Sequence, residues 1–285
     1  MRWIILLLAL VLTACATGEP PAVTREVVLP ALPQGQINES SSTEALPPPY
    51  PDAQVAPTEA LDAAYPAPGS ETLAPGRVVI EAADGLALVG TYAVSADASQ
   101  PGPGVLLLHM LGSDRTAWAA VTVDLTAAGY AVLALDMRGH GETGGDLNWD
   151  LAQDDLLRAW GFLSGLPEVD ENRTAVIGAS IGANMALITG AAEPAIRTVI
   201  LLSPGLDYNG LATEPAMAAY GGRPLLVVAS QDDAYAATSS QTLIEQATGL
   251  AELKMYTGSA HGTSIFAPNP ELTLLILEWL NEHTK

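Results

Sequence analysis

Cysteine occurs once in this chain of 285 residues, at position 15, so no disulfide can form within it. Cationic side chains are scarce too. There are 11 Lys and Arg against 32 Asp and Glu, giving a formal net charge of −21, and the lysines are only Lys254 and Lys285. Phosphate backbones and anionic membrane surfaces repel such a chain, which argues against nucleic acid as a partner. The acidity serves solubility through self-repulsion. No G-x-G-x-x-G or P-loop is present, so no nucleotide cofactor is implied. Asp136 and His140 have no further ligands at metal-binding spacing, so no metal site is expected. The apolar run Ile4–Leu12 is too short to span a bilayer, and no internal repeats occur. What the chain does have is 49% hydrophobic residues, enough for one sizeable core.

The amino terminus has the order of a secretory signal: Arg2, then the apolar run, then Leu12-Thr13-Ala14-Cys15. That last tetrapeptide resembles the bacterial lipobox. The resemblance implies a signal peptide over 1–14, cleaved before Cys15, whose thiol takes a lipid. Acyl chains there would hold the protein at a membrane surface without spanning it, in an extracytoplasmic location. Ala16 stands where an aspartate would accompany inner-membrane retention. Residues 15–75 then change composition, with Ser40-Ser41-Ser42-Thr43 and Pro47-Pro48-Pro49-Tyr50-Pro51 as samples. No helical or strand period persists. Such a stretch cannot bury enough apolar surface to offset its ordering entropy, so a disordered tether is expected. As a flexible coil it would reach about 45 Å.

From residue 76 to 285 the pattern is that of one ordered domain. Strands are predicted at 78–81, 86–93, 105–109, 131–135, 174–177, 199–202, 225–229 and 253–256. Helices are predicted at 116–128, 151–163, 183–192, 215–220, 239–248 and 271–282. The first two strands alternate across Ala83-Asp84-Gly85, a hairpin signal. The later strands are nearly continuous apolar runs, as expected of parallel strands covered on both faces. Strand–helix alternation implies an α/β fold with a doubly wound sheet, and catalytic groups belong at the carboxyl ends of its strands.

Gly178-Ala179-Ser180-Ile181-Gly182 reads G-x-S-x-G between the fifth strand and the third helix. A serine hydroxyl is a weak nucleophile unless a base reaches it, and a tight strand–helix turn lifts it clear of the sheet. The bland alternative is a serine capping the helix. Asp232 and Asp233 follow the seventh strand, and His261 follows the eighth. The order Ser…Asp…His on such a turn resembles the α/β-hydrolase superfamily over nearly all of residues 77–285. The resemblance implies Ser180 as nucleophile, His261 as base and an aspartate that orients the imidazole. Ser230 matches the small residue that precedes the acid by three in the family, which favours Asp233 over Asp232. It implies an oxyanion hole formed by the Ile181 N–H and one from Leu108-His109-Met110-Leu111-Gly112. Aligned on the family's His-Gly-x, Leu111 donates. Met110 stands where glycine is usual, which leaves Met110 and Leu111 both open. His109 is expected to brace that loop. Asp136-Met137-Arg138-Gly139-His140-Gly141 also resembles the superfamily and is expected to supply an Asp–Arg brace between turns.

Ser203 to Arg223, between the sixth and seventh strands, leaves room for a loop and a short helix but not for a lid domain. The resemblance is therefore to small capless carboxylesterases and dienelactone hydrolases, although the latter commonly use cysteine. Leu206, Tyr208, Met110, Leu111 and Trp149 are each expected either to line the pocket or to pack. The expected function is an ester hydrolase acting on small-molecule substrates, with no cofactor and no obligate protein partner. Peptidase or thioesterase action on the same residues is the alternative, as is a non-catalytic surface-binding lipoprotein.

Overall fold

The computed structural model describes residues 76–95 and 100–284; the expected signal peptide, Cys15 and the tether over 15–75 lie outside the described residues. A single eight-stranded sheet organises the domain. Its strands are β1 (Gly76–Glu81), β2 (Ala87–Ala93), β3 (Gly102–Leu108), β4 (Ala131–Leu135), β5 (Val169–Ala179), β6 (Ile196–Leu202), β9 (Leu225–Ser230) and β10 (Ala251–Tyr256). Two short strands, β7 (Asp207–Tyr208) and β8 (Leu211–Ala212), form a separate hairpin between β6 and β9. The order across the sheet is β1-β2-β4-β3-β5-β6-β9-β10. β2 pairs antiparallel with both β1 and β4, and every other pairing in this sheet is parallel.

Among the described residues six α-helices cover the sheet: α1 (Ala119–Ala127), α2 (Trp149–Ser164), α3 (Ile181–Ala192), α4 (Thr213–Tyr220), α5 (Ala234–Gln246) and α6 (Leu272–His283). The continuous apolar strands follow from this two-sided cover, because successive side chains point to opposite faces. On one face Leu106, Leu133, Val176 and Leu201 pack with Leu156, Leu187, Met217 and Leu243 from α2 to α5. On the other, Val105, Leu107, Ile177 and Ile200 pack with Val121, Leu125, Ile276 and Leu280 from α1 and α6. Truncating a fully buried leucine such as Leu107 to alanine typically costs about 2–5 kcal/mol. Two buried indoles find hydroxyl partners on neighbouring strands. The indole N–H of Trp160 donates to Thr174 Oγ1 at 3.1 Å, and that of Trp279 to Thr198 Oγ1 at 2.8 Å.

Local signals end and start the helices that border the site. Asp114 caps a short 3₁₀ turn, Arg115–Trp118, by accepting from the Thr116 N–H at 2.8 Å. Asn148 caps α2 in the same way through the Leu151 N–H at 3.1 Å. Parallel strands bring the ends of β3, β5, β6, β9 and β10 to one edge of the sheet, where their loops meet. The segment from β6 to β9 holds only the β7–β8 hairpin and the eight-residue α4, so among the described residues no cap domain is inserted there. Among the described residues no helix is long and apolar enough to cross a membrane.

Candidate active site

β5 ends at Ala179 and α3 starts at Ile181, so Ser180 alone makes the turn. It does so at φ 53° and ψ −121°, a conformation that costs an L-residue strain. The flanking glycines are required by contact. A Cβ at Gly178 would lie 1.9 Å from the Gly182 carbonyl oxygen, and one at Gly182 would lie 2.5 Å from the carbonyl oxygens of Leu108 and His109. Ser180 occupies the N-cap position of α3, yet its side chain makes no cap hydrogen bond. Its Oγ lies 2.7 Å from His261 Nε2 instead.

His261 Nδ1 lies 2.6 Å from Asp233 Oδ2. With the ring proton on Nδ1, that nitrogen donates to the carboxylate and Nε2 accepts from the serine hydroxyl. The structure thus brings together Ser180, His261 and Asp233. Asp232 stays outside, its side chain exposed and its N–H donating to Gly258 O at 2.9 Å. That bond helps to hold the His261 loop. Ser230 Oγ donates to Ala260 O at 2.7 Å, and the Gly262 N–H donates to Ser203 Oγ at 3.0 Å. Ser203 is fully buried and also left-handed, at φ 53°.

The loop after β3 turns from Met110 to Ser113, whose N–H donates to Met110 O at 3.1 Å. Gly112 sits at the third position with φ 71°, as a type II turn requires. Among the described residues the N–H groups of Met110, Leu111 and Ile181 donate to no other protein atom, which keeps all three as candidate oxyanion donors. Met110 and Leu111 are not separated by this geometry. Leu111 is half-exposed, while the Met110 sulfur lies against Gly262, beside His261.

Three braces fix this loop and its neighbour after β4. His109 is fully buried; its Nε2 accepts from the Met137 N–H at 3.0 Å and its Nδ1 donates to Met110 O at 2.8 Å. Burial lowers its pKa below the ordinary histidine value, which suits a neutral ring in this role. The buried Asp136 carboxylate accepts from the N–H groups of Arg115 and Glu142, both at 2.7 Å, and pairs with the Arg115 guanidinium. Gly141 makes room for it, since a Cβ there would fall 2.2 Å from that carboxylate. Arg138 turns away from Asp136 to the buried Asp155, at 2.8 Å from Nε, and to Asp84, at 2.6 Å from Nη1. The Asp–Arg brace is therefore two braces with partners from elsewhere in the chain. His140 packs between His109, which it meets edge-on, and the tilted ring of Trp149, at centroid distances of 4.9 and 6.3 Å. Among the described residues no three His, Cys, Asp or Glu side chains are grouped to hold a metal ion.

Of the pocket candidates, Trp149 and Leu206 are partly buried and pack on the core. Tyr208 packs there too, but its ring also stands edge-on to His261, with centroids 6.4 Å apart and planes at 86°. The sequence predicts a loop here, and the structure folds it into the β7–β8 hairpin. Asn209-Gly210, with φ 55° and 84°, is the two-residue turn signal that marks it.

A sheet of this order, with a serine on the elbow after its fifth strand, is the α/β-hydrolase fold. A family model described as serine aminopeptidase, S33, matches residues 99–222. Uncharacterised proteins from two strains of Mycobacterium tuberculosis, CDC 1551 / Oshkosh and H37Rv, are each 34% identical over 143 residues, which is 50% of this chain and 50% of theirs. The chain thus spans about half the length of the curated relatives it matches. Solved structures share the fold more widely. A dienelactone hydrolase from Anabaena variabilis superposes with a TM-score of 0.61 at 21% identity, covering 74% of this chain and 99% of that one. The esterase Pf2001 from Pyrococcus furiosus gives 0.65 at 20%, covering 74% and 92%. Est1E from Butyrivibrio proteoclasticus, solved with ferulic acid bound, gives 0.63 at 20%, covering 72% and 98%.

Proposed function

We propose that this chain is a serine hydrolase that cleaves carboxylic esters through an acyl-serine intermediate while tethered to a membrane surface through a lipid on Cys15. The observation that carries the catalytic part is the hydrogen-bonded line Ser180 Oγ–His261 Nε2 and His261 Nδ1–Asp233 Oδ2, set on a strained elbow. In this reading Ser180 Oγ attacks the ester carbonyl carbon and its proton passes to His261 Nε2. The carbonyl oxygen takes the negative charge and is held by the Ile181 N–H and by that of Leu111 or Met110. Collapse re-forms the carbonyl and breaks the bond to the leaving oxygen, which takes the proton from Nε2. Water then repeats the sequence on the acyl-serine. Asp233 fixes the ring tautomer and stabilises the imidazolium without taking its proton. The short connection from β6 to β9, which holds no lid domain, favours small, accessible esters. The esterases and the dienelactone hydrolase that share this fold make ester cleavage the natural first reading.

The test is turnover of p-nitrophenyl esters graded from acetyl to long acyl, beside labelling with a fluorophosphonate. Wild type is expected to label and to hydrolyse short esters fastest. Ser180→Ala is expected to lose both, and His261→Ala to lose at least about 10³-fold in kcat. Unchanged turnover in Ser180→Ala would remove the assignment. Peptidase action is a second reading, favoured by the description of the matching family model. Labelling without ester turnover, together with cleavage of aminoacyl p-nitroanilides, would select it. A chain that neither labels nor turns over any substrate would be a binding protein.

A further inference from the structure

Hydrolysis by Ser180, His261 and Asp233 leaves one polar group at the site unused, the phenol of Tyr208. The β7–β8 hairpin holds it firmly. Tyr235 Oη accepts from the Asp207 N–H and donates to Asp207 O, both at 2.9 Å. Asn184 Oδ1 accepts from the Gly205 N–H at 3.0 Å, and Asn184 Nδ2 donates to Leu211 O at 2.7 Å. Thr213 Oγ1 donates to Gly205 O at 2.9 Å. A Cβ on Gly205 would lie 2.7 Å from Tyr208 Cζ, so glycine lets the ring lie against the backbone. Anchored on both sides, the phenol is preorganised where a loop side chain would ordinarily be free to move.

Its hydroxyl is weakly committed within the protein. The hydrogen bond it donates to Ser203 O is long, at 3.4 Å. It also interacts with the Ser180 side chain. Burial, the Asp233 charge and the neighbouring Tyr235 push its pKa up to about 12, so it remains a donor at neutral pH. Topology fixes the side from which it approaches. β3 and β6 flank β5 in the sheet, so the loops after them reach Ser180 from opposite directions. The loop after β3 carries the candidate oxyanion donors. Tyr208 comes from the other side, where the His261 ring lies edge-on to it. An ester whose carbonyl oxygen points toward the β3 loop must turn its leaving oxygen toward His261 and hence toward this phenol.

We propose that the Tyr208 hydroxyl donates a hydrogen bond to the leaving-group oxygen of the bound ester and so extends the enzyme's range to poor, alkoxide-type leaving groups. The inference rests on the serine-hydrolase reading. Tyr208 transfers no proton. As the acyl carbon–oxygen bond breaks, the departing oxygen takes its proton from His261 Nε2–H, and the phenol shares the charge that builds on it meanwhile. Acyl-serine and the free alcohol are the products. Such help matters most when the leaving group is a strong base, and it shows in acylation, because deacylation of the acetyl-serine by water is the same step for every acetate ester.

The experiment compares full-length wild type, Tyr208→Phe and Tyr235→Phe on acetate esters whose leaving groups run from p-nitrophenol to ethanol. Phenylalanine keeps the ring and removes only the donor. The expected loss of kcat/KM in Tyr208→Phe grows with leaving-group pKa and is roughly tenfold greater for the ethyl than for the p-nitrophenyl ester. Tyr235→Phe loosens the hairpin but keeps the Tyr208 hydroxyl, so its loss should be the same across the series. An equal loss on all esters in Tyr208→Phe, no loss at all, or the same graded loss in Tyr235→Phe would overturn the inference and leave the hydrolase reading standing. A wild type inert to every ester and to fluorophosphonate would overturn both.

Discussion

His109 shows how one side chain can set the conditions under which a site holds together. It donates to the loop after β3 and accepts from the loop after β4, and the second of these bonds requires Nε2 to carry no proton. A protonated ring would turn the acceptor Nε2 into a donor facing the Met137 N–H. Burial lowers the folded-state pKa, while the unfolded chain keeps the ordinary value near 6.5. Between the two values the unfolded chain binds a proton that the folded one refuses, so stability falls as pH drops below about 6.5. Asp84 acts lower on the scale. Arg138 draws its pKa down to about 2, so its contribution is complete above the ordinary aspartate value and is lost as pH falls through that lower one. In urea titrations wild type should lose midpoint steadily from pH 6.5 to 5. His109→Gln should start lower and change much less over that window. An equal slope in both proteins would place the acid sensitivity elsewhere.

Among the elements, the β7–β8 hairpin depends most directly on its turn, since two residues on each side are all that pair. Asn209 and Gly210 are both left-handed, and glycine at the second position removes the strain a side chain would bring. Gly210→Ala, at φ 84°, should cost about 1 kcal/mol of stability. Its effect on turnover should exceed that, because the hairpin presents Tyr208 to the site. A thermal melt and ester kinetics on the same variant would separate the two effects. The main elements were legible in the sequence because their signals are local. The runs at 131–135 and 225–229 are apolar without alternation, which only two-sided cover explains, and G-x-S-x-G names its own turn. The hairpin was equally local in Asn209-Gly210, but its strands are two residues long and show no period. The braces were not legible in full. Arg138 chooses Asp155 and Asp84, 17 and 54 residues away, over Asp136 two residues away, and no local pattern encodes that. Asp233 rather than Asp232 meets His261, a choice the sequence drew from Ser230 alone. Met110 and Leu111 are undivided because neither N–H donates to another protein atom.

For the molecule as a whole, the sequence and the structure speak of different parts. The domain is described from residue 76 onward, while the proposed anchor is Cys15 and the residues between are the proposed tether. If a lipid on Cys15 holds the protein, Cys15→Ala should move it from the membrane fraction to the soluble one while ester turnover per molecule stays the same. Retention in the membrane fraction would point to an uncleaved apolar segment instead. Within the domain, Gly182 rests on the carbonyls of Leu108 and His109, so the elbow and the loop after β3 touch backbone to backbone with no side chain between them. Neither can drift without the other, and the distance from nucleophile to candidate oxyanion donors is not a variable that mutation can tune gradually. Libraries built on this chain therefore have a better place to alter substrate range while Ser180 and the loop after β3 keep their spacing: residues 204–212 after β6, where the backbone is held by side-chain bonds that can be exchanged one at a time.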